Sequence, residues 1–488
     1  MKVILFSSPT VQPDFDFIAT VPNLGIASIA GNINDICSVH VADVHALKKK
    51  NHLTFMESAI KKHRPDLIGL SCMSFQYKDA LEMAKKAKEM DVLTVVGGYH
   101  PTLMYQEIAD SPDSGYFDFI VRGEGEATFR ELLESIDKGQ FDTINGLSYK
   151  HGEEFVHNPP RPISDLDSIL FPDRGSRLIT KGFNAFGRPI DVVETSRGCV
   201  QGCKFCSINH MYGKTFRTFE IERVIDDIRR AEIDGARSIL FVDDNITLNP
   251  KRLIELCNAI VDDGLDHIHY HTQASAKGIA YSPEVARKMA KAGFKFTFLG
   301  IENVLQKNLD FFNKGQMSND ADVAVRNLRE NNIIVSGGLI MGTPEDTKED
   351  MWDNFRAARD MKIDIPIFYI STPYPKTELR KEMLDMGLVT NVDDFTRYDG
   401  LTANIRTKQM TDREIQFETW KMAAQFYDSN WKNYTTIHRT YPLWFAKKAT
   451  ILSVKYIRRK LLRLLGLKTI EDFFEEDCKA RTFNMSVY

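Results

Sequence analysis

Two stretches of this chain alternate short apolar runs with charged segments of helical spacing, and a proline-rich stretch separates them. This alternation limits the fold most, because parallel strands need crossover helices that cover both faces of the sheet. In residues 1–145 the apolar runs are Lys2–Ser7, Ser38–Val41, Asp66–Met73, Leu93–Gly97 and Phe117–Val121. Leu24–Ile33, Asn51–Lys62, Tyr77–Met90 and Ala127–Lys138 carry the helical spacing. A parallel sheet wrapped by helices is the expectation. Residues 146–185 contain short polar runs with Pro159, Pro160, Pro162 and Pro172, and read as a linker with a small hairpin.

The second block spans residues 186–385. Its candidate strands are Ile190–Thr195, Ser238–Val242, His267–Gln273, Lys295–Gly300, Ile333–Met341 and Asp364–Ser371. Six strand–helix units fit a partial (β/α)6 barrel of the TIM type better than a doubly wound sheet. Residues 386–488 are mostly helical, including Asp412–Tyr427 and Leu443–Leu467. The fold class is therefore α/β, with two sheet domains and a helical C-terminal region.

Composition excludes several classes. With 43% hydrophobic and 27% charged residues over 488 positions, the chain is neither disordered nor a polytopic membrane protein. A net charge of −4 gives no drive toward nucleic acid. Seven scattered cysteines do not make a disulfide framework. No signal peptide and no run of eighteen apolar residues is evident, so a cytoplasmic setting is expected.

The chemistry concentrates in Thr195-Ser196-Arg197-Gly198-Cys199-Val200-Gln201-Gly202-Cys203-Lys204-Phe205-Cys206. Cys199, Cys203 and Cys206 are spaced C-x3-C-x2-C in a loop after a strand. Thiolates are soft ligands that hold iron–sulfur clusters, and three of them leave one iron of a [4Fe–4S] cube open. Two other readings stand beside this one. Buried inert thiols would not need a glycine loop carrying Gln201 and Lys204. A structural zinc with His210 as fourth ligand would lack the second knuckle such modules use. Cys37, Cys72, Cys257 and Cys478 are isolated.

These residues resemble the radical SAM superfamily, whose signature is this triad with an aromatic, here Phe205, before the last cysteine. The resemblance covers about residues 186–385. The Asp243-Asp244-Asn245 stretch is similar to the one that receives the amino group of S-adenosyl-L-methionine (SAM), and two carboxylates suit an ammonium. The family often has a glycine pair and a glutamate there, which this chain lacks. His271-Thr272-Gln273-Ala274-Ser275 resembles the strand end that meets the SAM ribose and carboxylate. Gly300-Ile301-Glu302 resembles the family's G-I-E, and Gly342-Thr343-Pro344-Glu345-Asp346-Thr347 its G-x-P-x-E-T turn. The resemblance thus implies Asp243, Asp244, Gln273, Ser275 and Glu302 as SAM contacts.

Residues 1–145 resemble the Rossmann-like cobalamin-binding domain that precedes the barrel in one radical SAM class. The similar pieces are Pro22–Ala30, Pro65–Ser71, Val95–Thr102 and Val121–Glu126. Glycines at strand ends let backbone approach a ligand. The resemblance implies Ser71, Gly97, Gly98, Glu124 and Gly125 as cobalamin contacts. Domains that supply a lower cobalt ligand carry D-x-H-x-x-G after the first strand. Here that position reads Ser8-Pro9-Thr10 with no histidine, and His45, after the second strand, reads as a solvated loop residue rather than a cobalt ligand. A degenerate domain that binds nothing is the alternative.

Between Trp431 and Thr469 there is no acidic residue. At 100° per residue, Leu443, Val454, Ile457, Leu461, Leu464 and Leu465 gather on one face, and Lys448, Lys455, Arg459 and Arg463 on the other. Three readings remain open: a helix lying on an anionic membrane, a terminal helix docked with its basic face solvated, and a weaker nucleic-acid site.

The resemblance implies an oxygen-sensitive enzyme that cleaves SAM reductively at a [4Fe–4S] cluster, with an electron donor such as flavodoxin or ferredoxin. With cobalamin, the expected reaction is methylation of an unactivated carbon. The basic amphipathic segment points to a lipid-like or isoprenoid substrate met at the inner membrane surface. Oxidative cyclisation or carbon–carbon coupling without catalytic cobalamin is the alternative, and a non-catalytic binding protein on a degenerate barrel is the alternative of another class. A methylthiotransferase would need three N-terminal cysteines, and only Cys37 and Cys72 are there.

Overall fold

A computed structural model describes residues 1–9, 18–47, 51–315, 318–429 and 435–480. The first sheet is built on β1 (Lys2–Ser7), β2 (Ser38–Asp43), β3 (Leu67–Ser71), β4 (Leu93–Gly97) and β5 (Phe119–Val121), all parallel in the order β2-β1-β3-β4-β5. Leu67–Leu70 are buried without alternation, as expected for a central parallel strand covered on both faces. The strand order reverses between β1 and β3, so a crevice opens beyond their carboxyl ends.

The hairpin expected in the linker forms, as β6 (Leu147–His151) and β7 (Glu154–His157). It is not free-standing. It pairs antiparallel with β5 and extends the first sheet to seven strands, while Arg177 bridges to Val41 of β2. Much of the expected linker is therefore the edge and flank of the N-terminal domain.

The second sheet holds β8 (Arg188–Val193), β9 (Ser238–Phe241), β10 (His269–Ser275), β11 (Phe294–Glu302), β12 (Ile334–Met341) and β13 (Ile365–Ile370), parallel and in sequential order. This is the expected six-unit open barrel. Its first edge is extended by Asn184–Ala185 and then by Ala19–Thr20, both antiparallel. A loop of the first domain thus completes the sheet of the second.

Helix Asp412–Ser429 packs Trp420 against Ile367 of β13, and helix Ile470–Ala480 returns to seal that cluster with Phe473 and Phe474. Between them runs helix Pro442–Leu464. Its orientation differs from a docked helix with a solvated basic face. Arg459, 7% exposed, points inward to an ion pair with Asp477 at 2.6 Å, and Trp420 donates to the same carboxylate at 2.9 Å. The apolar stripe faces out, with Leu443 87% and Leu464 74% exposed and Val454, Ile457, Leu461 and Leu465 more than half exposed. Trp431 and Lys432, at the start of the acid-free segment, lie outside the described residues. No helix among the described residues is long and apolar enough to cross a membrane.

Candidate functional site

The cysteine loop leaves β8 and is held from several sides. At the end of β9, the buried Asp243 carboxylate accepts from the Thr195 N–H at 2.7 Å, the Ser196 hydroxyl at 2.6 Å and the Thr195 hydroxyl. Asp244 accepts the Gly198 N–H at 2.8 Å. Gly198 has φ +88°, and a Cβ there would lie 2.4 Å from the Thr215 carbonyl, so only glycine fits this crossing. Farther on, Asn209 donates to the Gln201 carbonyl and Asn313 to the Gly202 carbonyl, each at 2.8 Å. Phe205 packs edge-on against Phe312.

All three thiols are partly buried. Burial pushes each pKa up, that of Cys206 to about 12, and Cys203 and Cys199 push Cys206 in the same direction. The Lys314 ammonium opposes this at Cys199 and Cys203. Lys314 is itself paired with Glu302 at 2.9 Å, both nearly buried. Among the described residues no three His, Cys, Asp or Glu side chains already converge as a ligand set. His210 is exposed on the short helix Ile208–Tyr212. The donors this loop offers are three soft sulfurs beside a cation, and that donor set suits an iron–sulfur cluster better than a zinc.

The residues expected around SAM divide in two. Asp243 and Ser275 are committed to the protein itself. Ser275 caps helix Ala276–Ala280 through Gly278 at 3.2 Å and contacts the Thr247 hydroxyl at 3.1 Å. Asp244 and Gln273 remain at the cavity walls, and Gln273 donates to the Asp243 carbonyl at 2.9 Å. Burial raises the Asp244 carboxyl to about 6. Glu302 sits at φ +65° on a bulge of β11, a strained position for a side-chain-bearing residue, and lies beside the thiols through Lys314.

Beyond the carboxyl ends of the first sheet lies a cavity of about 320 Å³ whose lining includes Ser71, Gly97, Gly98, Glu124 and Gly125, all five residues expected around cobalamin. Gly98, at φ +99°, brings backbone so close to Cys72 that a Cβ would lie 2.8 Å from its carbonyl oxygen. The far wall is Asp244, Arg197, Glu194, Met211 and Tyr212 from the barrel. Arg197 ties the two domains together, pairing with Glu126 at 2.7 Å, Glu194 at 3.0 Å and Glu124 at 3.1 Å. Arg217 adds a second pair to Glu124 at 2.8 Å. His45 is neither solvated nor open to a metal: its ring nitrogens lie 2.6 Å from the Val21 carbonyl and 3.1 Å from the Ser7 hydroxyl.

Sequence reasoning missed Arg197, Lys314, Met211 and Tyr212 as wall or electrostatic partners. For Arg197 the sequence held no signal of its own, because its burial depends on Glu124 and Glu126 of the other domain. The others depend on contacts between distant segments.

A crevice at a strand-order reversal, facing a half-barrel that carries three thiols on its first loop, defines a radical SAM enzyme with a cofactor domain in front. The B12-binding domain model matches residues 18–133 and the radical SAM superfamily model residues 193–358. An uncharacterized methyltransferase of Pyrococcus horikoshii is 32% identical over 436 residues, covering 88% of this chain and 92% of that one. An anaerobic magnesium-protoporphyrin IX monomethyl ester cyclase of Cereibacter sphaeroides is 28% identical over 75% of this chain and 61% of that one. A hopanoid C-3 methylase of Methylococcus capsulatus is 29% identical over 68% of this chain and 63% of that one. The solved cobalamin-dependent SAM radical enzyme OxsB superposes with TM-score 0.71 at 17% identity, covering 96% of this chain and 75% of that one. The chain belongs to the radical SAM superfamily, in the class that carries a B12-binding domain ahead of the barrel.

Proposed function

We propose that this enzyme holds a [4Fe–4S] cluster on Cys199, Cys203 and Cys206, SAM beside Asp244, Gln273 and Glu302, and cobalamin in the cavity lined by Ser71, Gly97, Gly98, Glu124 and Gly125. The reaction is methylation of an unactivated carbon on a lipid-like or isoprenoid substrate. The observation that carries this reading is that the loops after β8 and β9 serve both sites: Arg197 and Asp244 line the B12-domain cavity and also flank or hold the cysteine loop. When bound, these groups would supply hydrogen abstraction and the methyl group that replaces the hydrogen. The chain's part is to aim them at one space. Asp243 fixes the start of the thiol loop, Arg197 locks that loop to the Gly123–Glu126 turn, and the two domains exclude water from the gap. The barrel domain is residues 186–385, and the B12 domain is residues 1–145 with the hairpin that extends its sheet.

The substrate class rests on helix Pro442–Leu464, whose apolar stripe faces out while Lys447, Arg458, Lys460 and Arg463 are exposed around it. Such a helix suits peripheral contact with an anionic inner-membrane surface. Cyclisation is the second reading, supported by the cyclase relative. The deciding experiment is anaerobic reconstitution with iron, sulfide and cobalamin, followed by incubation with methyl-deuterated SAM and a low-potential reductant such as dithionite in a lipid extract. The expected result is four irons and one corrin per chain, 5′-deoxyadenosine, and deuterated methyl in a lipid product. A protein with all three cysteines changed to Ala should hold no iron. A product that gains a ring or bond without label would favour cyclisation, and a soluble polar product would remove the lipid class.

A further inference from the structure

We infer that the interior of the open barrel is a pocket for an apolar substrate bearing one hydroxyl or carbonyl group, and that His271 reads this group. The inference rests on the methylation reading for its setting and adds the chemistry of the molecule and the residue that selects it.

A second cavity, of about 500 Å³, lies between the barrel strands and the loops of the B12 domain. That size is in the range of pockets for small organic ligands. Ile190, Leu240, Phe296 and Phe298 give it apolar walls on the barrel side, with Gln273 of the SAM set also in its lining; Val21 and Leu24 close it on the other, beside the polar Ser7, Asn23 and Gln76. The barrel wall has one imidazole, His271 of β10, whose ring stacks 5.7 Å from Phe186 and lies 5.9 Å from Phe296.

Neither nitrogen of this ring hydrogen-bonds to a described residue, and Nε2 is sealed from solvent. Its neighbours make the contrast. His45, at the other end of the same cavity, has both ring nitrogens engaged, and His269, two residues before His271, pairs with the Tyr441 hydroxyl at 2.9 Å. Buried polar groups without partners are rare, and each asks for an explanation. A ligand that enters the cavity supplies one for Nδ1, the ring nitrogen that is not closed off. Burial pushes His271 down to about 3, so its ring is neutral and offers one N–H and one lone pair. With Nε2 closed off, the pairing falls to Nδ1: as N–H it donates to a hydroxyl or carbonyl oxygen, and in the other tautomer its lone pair accepts from a hydroxyl. A carboxylate or phosphate could accept from the same N–H, but it would be stripped of water among these phenyl groups with no charge on the ring to balance it.

The position of the cavity agrees with an apolar ligand. Phe186, in its wall, stacks 4.3 Å from Tyr441 and meets Trp444 edge-on at 4.9 Å, at the root of the helix whose apolar stripe faces out.

The test uses two neutral fluorescent probes of one skeleton, 1-pyrenemethanol and 1-methylpyrene, titrated into the full-length protein as purified. The alcohol should bind about tenfold more tightly, the worth of one buried hydrogen bond. In His271→Phe that ratio should fall to about one while 1-methylpyrene binding stays within about twofold. Leu240→Trp and, from the opposite wall, Val21→Trp should weaken both probes. An unchanged ratio in His271→Phe, or full binding of both probes in both wall variants, would overturn the inference. Because no turnover is measured, failure here is separate from failure of label transfer in the methylation experiment.

Discussion

The Lys314 ammonium and the Glu302 carboxylate meet at 2.9 Å beside the cysteine loop, and the ammonium acts on Cys199 and Cys203. Glu302 can reach this place because its backbone takes the left-handed conformation at a bulge. A cation there favours thiolate over thiol and added negative charge over its absence. Lys314→Met should therefore reconstitute less iron and shift the reduction midpoint to more negative values by roughly 50 mV, the one-electron equivalent of about 1 kcal/mol. Potentiometry followed by electron paramagnetic resonance reads this directly. A midpoint that stays put, or moves upward, would show that the ammonium does not act on the cluster.

The adjacent aspartates should separate when replaced. Asp243 has its carboxylate filled by Thr195 and Ser196, whereas Asp244 gives one oxygen to Gly198 and lines the cavity. Asp243→Asn puts an amide where three donors converge, a loss of about 2–3 kcal/mol at the loop. Its main effect should be on iron content, well below the wild-type value after reconstitution. Asp244→Asn should keep most of its iron and lose SAM affinity by about tenfold, one charge-assisted contact. Iron analysis and equilibrium dialysis with labelled SAM decide the matter. The reverse pattern would mean that the roles are exchanged.

The contrast between these two residues also shows what the sequence can carry. The six barrel strands were legible because each is an apolar run of β length bounded by helical spacing, and the triad was legible because ligand spacing is local. The role of Asp243 was not, since it depends on β9 lying beside β8 so that residue 243 meets residue 195. Pairing of the β6–β7 hairpin with β5 is equally non-local. An amphipathic pattern defines two faces of Pro442–Leu464 but not which one turns inward. Here Asp477, 18 positions beyond Arg459, decided it by giving the guanidinium a buried partner.

Stability should carry a pH signature from Asp364, outside the thiol loop. Its buried carboxyl pairs with Arg329 at 2.5 Å and accepts the Val335 N–H at 2.9 Å, yet burial still lifts it to about 6. A carboxyl raised in the fold favours the native state most below its unfolded value near 4. That contribution is lost as pH rises through about 6. The stability of wild type relative to Asp364→Asn should thus fall by about 2 kcal/mol between pH 4 and 6.5 and then level off. Urea unfolding of both proteins across that range measures it. A difference that grows with pH would show that the Arg329 pair outweighs burial.

The outward stripe of helix Pro442–Leu464 makes the last prediction. Leu443, Val454, Ile457, Leu461, Leu464 and Leu465 lie in solvent, an arrangement that costs about 25 cal/mol for each Å² of apolar surface left wet. A bilayer interface removes that cost, and each exposed basic residue near an anionic surface adds about 1 kcal/mol. Lys447, Arg458, Lys460 and Arg463 are placed for this. Because Arg459 and Asp477 hold the opposite face to the protein, the helix can meet lipid without leaving its dock. The protein should float with anionic vesicles at low salt and bind less well to neutral ones. Binding should weaken as salt shortens the reach of its charges to about 8 Å at physiological ionic strength. Ile457→Asp with Leu461→Asp should abolish flotation without unfolding the protein, since both side chains are already more than half exposed. Removing the whole segment would be a poorer probe, because Phe473 and Phe474 would go with it and uncover Trp420. If the double variant floats as the wild type does, the stripe is not a lipid contact and the case for a lipid-like substrate loses its support from this helix.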